Sequence, residues 1–147
     1  MEILRQQFLR HIGQTSPSPM LVEVARAEGV CFFTPEGKRY YDIIAGVSVS
    51  NVGHGNPAVT EAVCRQARDY MHVMVYGELV ERPQVRYAAR IAEYLPVPLD
   101  AVYFVNSGAE AVEGALKLAK RFTGRRRMVA CRNAYHGSTH GAMSVME

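Results

Sequence analysis

Residues 106–111, which read NSGAEA, have the composition of a ligand-binding turn. They follow an apolar run and precede a segment rich in helix-forming residues. A strand that turns directly into a helix leaves unsatisfied N–H groups and a positive dipole end at one place, which suits a phosphate. Ser107 adds a hydroxyl donor, and Gly108 allows a ligand to approach the backbone closely. The segment is therefore a candidate phosphate site.

The same residues also have a purely structural interpretation. Ser107 as the helix N-cap and Glu110 three residues later form a capping box, which needs no ligand. The sequence contains neither the GxxxxGK[ST] loop of nucleotide-binding enzymes nor the GxGxxG fingerprint of dinucleotide-binding domains. On the local pattern alone, the capping box is the simpler interpretation.

Residues 135–142, which read YHGSTHGA, form a second candidate segment after the next apolar run. Tyr135 could present its ring face to a planar cofactor. His136 and His140 are four residues apart, as in some metal sites, but the segment holds no acidic or thiol ligand, so we predict no metal. The structural alternative is a glycine-rich turn followed by a helix cap.

The elements around these segments predict an α/β fold. A helix over 1–12 and an antiparallel β-meander over 21–44 come first, and a loop over 46–57 follows. The strand–helix–strand order after residue 100 predicts a parallel sheet. Two parallel strands do not bury their own faces, so we expect the chain to be part of a larger protein. The later predicted helices cover 58–70, 81–95, 108–122 and a start near 138 or 139, and the predicted strands cover 101–105 and 127–131.

The composition is that of an ordinary globular protein. The 147 residues are 48% apolar and 21% charged with a net charge of +3, which excludes disordered and collagenous classes. No apolar run approaches the roughly 20 residues that cross a bilayer, and the N-terminus resembles no secretory signal. Three cysteines, an odd number without metal-site spacing, predict reduced and mostly buried thiols in a cytoplasmic protein. These are Cys31, Cys64 and Cys131.

A basic cluster lies at the end of the predicted 108–122 helix. Cations there complement the helix dipole, and the aromatic residues of a nucleic-acid-binding surface are nearly absent. We therefore expect no nucleic-acid partner. The cluster consists of Lys120, Arg121, Arg125, Arg126 and Arg127.

In combination, the motifs resemble the first part of a class III pyridoxal-phosphate-dependent aminotransferase. This family includes acetylornithine, ornithine and 4-aminobutyrate aminotransferases. The resemblance covers about residues 20–147 and implies the aspartate-aminotransferase-like fold, fold type I. Residues 1–45 would form the N-terminal helix and β-meander of the small domain, and residues 46–147 the beginning of the large cofactor-binding domain with its parallel sheet. The residues that carry the resemblance are Asp42, Gly46, 53–57, 106–113, 117–120 and 135–139.

The resemblance implies pyridoxal 5'-phosphate as the cofactor. The Ser107 hydroxyl and two backbone N–H groups would hold its phosphate, and Tyr135 would stack on its pyridine ring. The loop over 46–52 would approach the substrate, with Val47 where ornithine-specific relatives carry a tyrosine. The cofactor-binding residues implied in this way are Ser107, Gly108, Ala109, Tyr135, His136 and Gly137.

The resemblance further implies a homodimer that moves an amino group from an amino compound to a 2-oxo acid. From the cysteines and the lack of a long apolar run, we expect it to be cytoplasmic with no membrane partner. Family members need a Schiff-base lysine and an aspartate at the pyridinium nitrogen. Neither Lys38, Lys117 nor Lys120 fits that lysine's context, so the 147-residue chain alone should be inactive. Decarboxylases, aminomutases and racemases use the same cofactor cradle. A non-catalytic alternative is a truncated chain that serves only as a phosphate-binding or oligomerisation module.

Overall fold

A computed structural model of the chain describes residues 2–74 and 76–146. The chain divides into two compact units, Met1–Val75 and Tyr76–Glu147. The first unit begins with helix α1 and continues into a three-stranded antiparallel meander in the order β1-β2-β3, which confirms the predicted meander. Its elements are α1 (Glu2–His11), β1 (Arg26–Glu28), β2 (Cys31–Phe33), β3 (Arg39–Tyr41), α2 (Ala45–Ser48) and α3 (Pro57–Asp69).

Aromatic pairs hold the meander in register. Phe32 lies opposite Tyr40, and their rings stack with centroids 5.2 Å apart. The Arg26 guanidinium lies 3.7 Å from the centroid of the Phe33 ring, its partner on the neighbouring strand. Cross-strand contacts of this kind are the main source of stability in a small sheet.

Helix α3 begins where the sequence predicts. The side-chain oxygen of Asn56 accepts hydrogen bonds from the N–H groups of Ala58 (3.1 Å) and Val59 (3.4 Å), so Asn56 is the N-cap. Pro57 occupies the first helical position, where its missing N–H costs nothing. Both features are local, and the helix predicted over 58–70 is confirmed, with bounds shifted by one residue.

The described residues of the second unit form three helices, α4 (Arg82–Ala92), α5 (Gly108–Thr123) and α6 (His140–Met143). Helix α5 ends at Gly124, whose φ of +68° is the left-handed cap that glycine favours. Lys120 and Arg121 lie in the last turn of α5, as predicted from the dipole argument. The helix predicted over 81–95 is shorter and ends at Ala92.

The strands predicted over 101–105 and 127–131 are not formed. Both segments lie outside any helix or strand, and the only sheet in the described part of the chain is the meander. A strand needs a hydrogen-bonded neighbour, and the described residues supply none for these two segments. The two apolar segments are non-helical, as predicted. The prediction that they pair as parallel strands is wrong for this chain.

The described residues bury very little. Four of them are buried, namely Cys31, Thr34, Gly137 and Ala142. Helices α3 and α5 contain no buried residue, and Phe122 is 87% exposed. The apolar faces of these two helices are therefore uncovered in the described part of the chain.

The cysteines are free, as predicted, but the prediction that they are mostly buried was wrong. Cys31 is buried in the meander, whereas Cys64 and Cys131 are exposed. Their helix and segment lack the covering layer that a complete core would provide. Among residues 2–74 and 76–146, no helix is both long and apolar enough to cross a membrane.

Candidate functional site

The N-terminus of α5 carries a modified capping box. The Ser107 hydroxyl oxygen accepts a hydrogen bond from the N–H of Glu110 at 3.2 Å. In return, the Glu110 carboxylate accepts from the N–H of Asn106 at 2.7 Å, one residue earlier than in the standard motif. Ser107 itself is extended, with φ −147° and ψ 161°. The capping interpretation of Ser107 is thus confirmed, and it leaves other donors of the same turn free.

The N–H groups of Gly108 and Ala109 are those free donors. Neither has an acceptor among the hydrogen bonds of the described residues. A Cβ atom added to Gly108 would meet nothing within 4 Å, and its φ is not in the left-handed region. The chain's own fold therefore does not require glycine here. These two N–H donors lie at the positive end of α5, an arrangement that suits an anion.

Gly137 brings the second candidate segment against the first. It is buried, its φ is +126°, and a Cβ atom built on it would lie 2.5 Å from Cβ and 2.8 Å from Cα of Ala109. Only glycine permits this approach, because any side chain would overlap the first turn of α5. The two segments predicted to form one site are therefore adjacent.

Tyr135 and His136 lie at the start of this segment. Tyr135 is 75% exposed, and its hydroxyl shares a hydrogen bond of 2.9 Å with the Ser138 hydroxyl. The N–H of His136 donates to Sδ of Met146 at 3.1 Å, while its Nε2 is buried and has no hydrogen-bond partner in the described part of the chain. The exposed ring of Tyr135 is therefore available to a ligand, and the buried Nε2 of His136 still lacks a hydrogen-bond partner among the described residues.

Glu113 is a residue at this site to which sequence analysis gave no role. Its Oε1 accepts the N–H of Gly141 at 2.8 Å, across 28 residues of sequence. The Thr139 hydroxyl beside the carboxylate and the N–H of Gly141 hold the pKa of Glu113 below its ordinary value. The position of Glu113 one turn after Ala109, on the same face of α5, is the signal that could have identified it.

The predicted substrate-side residue, Val47, lies in the first unit within an unusual turn. Ala45, Gly46, Val47 and Ser48, which make up α2, have φ values of +49°, +61°, +61° and +63°. This is a left-handed turn, in which a β-branched residue such as Val47 is strained. Val47 is 83% exposed. The sequence predicts only a loop here, because Gly46 is the sole residue of the turn that favours this conformation.

Asp42 initiates this left-handed turn. Its Oδ1 accepts hydrogen bonds from the N–H groups of Ile44 at 3.2 Å and of Ala45 at 2.8 Å. The turn is closed by the N–H of Ser48, which donates to the carbonyl of Ile44 at 2.9 Å. Strained backbone of this kind persists only where surrounding contacts fix it, and it is common at functional sites.

A comparison with protein families matches residues 12–147 to the family described as aminotransferase class-III. The acetylornithine aminotransferase of Methanopyrus kandleri is 41% identical over 137 residues, which cover 92% of this chain and 34% of that protein. The chain thus spans about a third of the length of the curated relatives it matches.

Similar solved structures agree with this family match. A thermostable (S)-enantioselective omega-transaminase from Thermomicrobium roseum superposes with a TM-score of 0.87 at 32% identity, over 99% of this chain and 35% of that one. A phospholyase from Arthrobacter, in complex with phosphoethanolamine, gives 0.81 at 29% identity, over 98% of this chain and 33% of that one. The described fold is therefore the N-terminal portion of the fold type I architecture, even though its parallel strands are not paired here.

Proposed function

Because the chain belongs to the class III aminotransferase family, we propose that it is the N-terminal part of a pyridoxal-phosphate-dependent transaminase. The complete enzyme would move an amino group from an amino compound to a 2-oxo acid. The observation that carries this proposal is the packing of Gly137 on Ala109, which joins a free anion cradle to an exposed aromatic ring. Neither segment alone would distinguish a cofactor site from a helix cap.

The chain's own residues fit the cofactor. The Ser107 hydroxyl and the N–H groups of Gly108 and Ala109 would bind its phosphate at the positive end of α5. The exposed ring of Tyr135 would stack on the pyridine ring and exclude water from that face. His136 Nε2, buried without a partner in the described part of the chain, would hold one hydrogen bond beside it. When bound, pyridoxal phosphate supplies an electron sink at the substrate carbon.

We propose that these 147 residues bind and orient the cofactor but do not transaminate alone. The lysine that bonds covalently to the cofactor has no candidate here. Lys38 lies in the turn before β3 with its ammonium 4.8 Å from the Tyr40 ring centroid, and Lys117 and Lys120 are exposed on α5. The catalytic lysine and the aspartate at the pyridinium nitrogen would belong to the remaining two thirds of the enzyme.

We restrict the proposed substrates to an amino donor and a 2-oxo acid acceptor. The phospholyase shows that similar folds also serve other reactions. Val47 in place of the tyrosine implied for ornithine-specific relatives argues against free ornithine as the donor. The substrate-facing loop of this chain would be the left-handed turn that carries Val47.

We also propose a homodimer in the cytoplasm. The exposed apolar faces of α3 and α5 need a cover from the rest of the enzyme or from a second copy. An apolar groove of about 770 Å³ between α1 and residues 19–24 adds to this uncovered surface. The three free thiols support a reducing compartment.

The test is cofactor binding and amino transfer by the complete protein. We expect it to take up pyridoxal phosphate, seen as a visible absorbance band that borohydride abolishes, and to transfer an amino group to a 2-oxo acid. The isolated 147 residues should lack both the borohydride-sensitive band and the activity. A complete protein that binds no pyridoxal phosphate would contradict the proposal, and one that binds it without amino transfer would point to another reaction of the family.

A further inference from the structure

The loop that carries Tyr135 and His136 is attached to α5 at two points. Gly137 packs on Ala109, and the N–H of Gly141 donates to Glu113 at 2.8 Å. Ala109 and Glu113 are four residues apart, so they lie on one face of α5 one turn from each other. Gly137 and Gly141 have the same spacing. The loop therefore follows the helix surface for one turn, held by packing at one end and by a carboxylate at the other.

The contact between Gly141 and Glu113 is as close as the contact between Gly137 and Ala109. A Cβ atom on Gly141 would overlap both carboxylate oxygens of Glu113. The next residue, Ala142, has no exposed surface, which makes it the most buried of the described apolar residues. A carboxylate, a glycine and a buried alanine thus lie together at this second contact. Two of the four buried residues described, Gly137 and Ala142, belong to this loop and the helix after it.

Glu113 also supplies what α6 lacks. The N-cap of this four-residue helix, Thr139, makes no side-chain cap hydrogen bond. The first N–H groups of a helix have no partner within the helix and need an outside acceptor. The Glu113 carboxylate provides that acceptor and carries the charge that a helix N-terminus favours. Without it, packing contacts such as that between Gly137 and Ala109 would remain, but the loop would lose its hydrogen bond to Glu113 of α5.

We infer that Glu113 is a positioning residue of the cofactor site. Its carboxylate holds the loop against α5 and thereby keeps Tyr135 and His136 beside the N–H groups of Gly108 and Ala109. The inference rests on the proposed function, because it assigns Glu113 a role in a pyridoxal-phosphate site. Glu113 does not itself contact the cofactor.

Three variants of the complete protein test this role. Glu113→Ala removes the acceptor, Glu113→Asp keeps the charge but shortens the reach to Gly141, and Glu113→Gln keeps an acceptor oxygen at the same place. Glu61→Ala is the matched control, since Glu61 is also a helical glutamate and pairs only with Arg65 among the contacts described, at 3.4 Å. The readouts are hydrogen exchange of residues 135–142 in the cofactor-free protein and the dissociation constant of pyridoxal phosphate.

We expect Glu113→Ala to speed exchange over 135–142 and to weaken pyridoxal-phosphate binding by about tenfold or more. Glu113→Asp should lie between Glu113→Ala and the wild type. Glu113→Gln should stay within about threefold of the wild type, because a neutral acceptor retains most of the hydrogen bond. Glu61→Ala should change neither readout. If Glu113→Ala does not fold, Glu113→Asp decides the question.

Several results would overturn the inference. One such result is a wild-type rate of hydrogen exchange over 135–142, or a wild-type dissociation constant for pyridoxal phosphate, in Glu113→Ala. If Glu113→Ala does not fold, the same result in Glu113→Asp counts. Glu113→Gln could be as weak as Glu113→Ala, which would exclude the acceptor as the cause. A wild-type protein that binds no pyridoxal phosphate overturns the proposed function instead, and the exchange comparison then still decides whether Glu113 holds the loop.

Discussion

The carboxylate of Asp42 lies 2.7 Å from Nε2 of His54, and this pair connects three parts of the first unit. Asp42 follows β3 and accepts two N–H groups of the left-handed turn. His54 pairs through its backbone with Gly29, the turn residue between β1 and β2, by hydrogen bonds of 2.7 and 2.9 Å. The pair thus fixes the strained Val47 turn to the meander.

The first prediction concerns the pH dependence of this pair. The hydrogen bond from His54, followed by that from the N–H of Ala45, lowers the pKa of Asp42. A carboxyl group with a lowered folded-state pKa stabilises the protein above its unfolded pKa, and this stabilisation is lost as the pH falls toward the folded value. In Asp42→Asn we therefore expect a lower Tm at neutral pH and a difference from the wild type that narrows below about pH 4.

The measurement is Tm against pH for the complete protein, with Asp100→Asn as the control. Asp100 is exposed and takes part in none of the hydrogen bonds or ion pairs described above. A constant Tm difference for Asp42→Asn down to pH 3 would show that the pair does not act through the charge of Asp42.

The second prediction concerns Gly137. Gly137→Ala places a Cβ atom 2.5 Å from that of Ala109 in a backbone conformation that alanine rarely adopts. Overpacking and backbone strain together should lower the free energy of unfolding by roughly 2–4 kcal/mol. Gly13→Ala is the control, because a Cβ atom at Gly13 meets nothing within 4 Å and its φ is not positive. Equal denaturant midpoints for the two variants would contradict the close packing.

The third prediction separates Gly108 from Gly137. Gly108→Val should leave the melting of the cofactor-free protein nearly unchanged, since the added atoms enter open space at an allowed φ. It should nevertheless weaken pyridoxal-phosphate binding by about tenfold or more, ~1.4 kcal/mol, because valine occupies the approach to the phosphate donors. Fluorescence titration of the complete protein measures this. An unchanged dissociation constant would remove the N-terminus of α5 from the site.

The fourth prediction concerns Tyr135. Because its side chain is 75% exposed, Tyr135→Ala should cost the cofactor-free protein little stability. Loss of ring stacking should lower cofactor affinity by about 1 kcal/mol, or roughly fivefold, whereas Tyr135→Phe should bind normally. Comparing cofactor dissociation with apo-form melting for both variants tests this. Destabilisation of the same size with and without cofactor would make Tyr135 a structural residue of the loop.

Features set by neighbouring residues were predictable from the sequence. The start of α3 depends on Asn56 and Pro57, and the end of α5 depends on Gly124, so short patterns sufficed. The adjacency of Gly137 and Ala109 followed from the resemblance and the order of the motifs, and the close packing of a buried glycine agrees with it.

Features that need distant partners were not predictable. The segment over 101–105 has a strand pattern, but pairing requires strands that the described residues do not contain. Cys131 follows an apolar run and is still exposed, because no described residue packs over it. The left-handed φ of Val47 depends on contacts of Asp42, which no propensity at position 47 reveals.

The cradle at the start of α5 has an evolutionary consequence. Two of its three proposed phosphate ligands are main-chain N–H groups, and every amino acid except proline provides one. Substitutions at 108 or 109 thus leave the donors in place and act only through bulk. Position 137 does not tolerate substitution in this way, because every other amino acid adds a Cβ atom against Ala109. Substitutions should therefore be tolerated less at position 137 than at positions 108 and 109, although Gly137 donates no hydrogen bond to the phosphate.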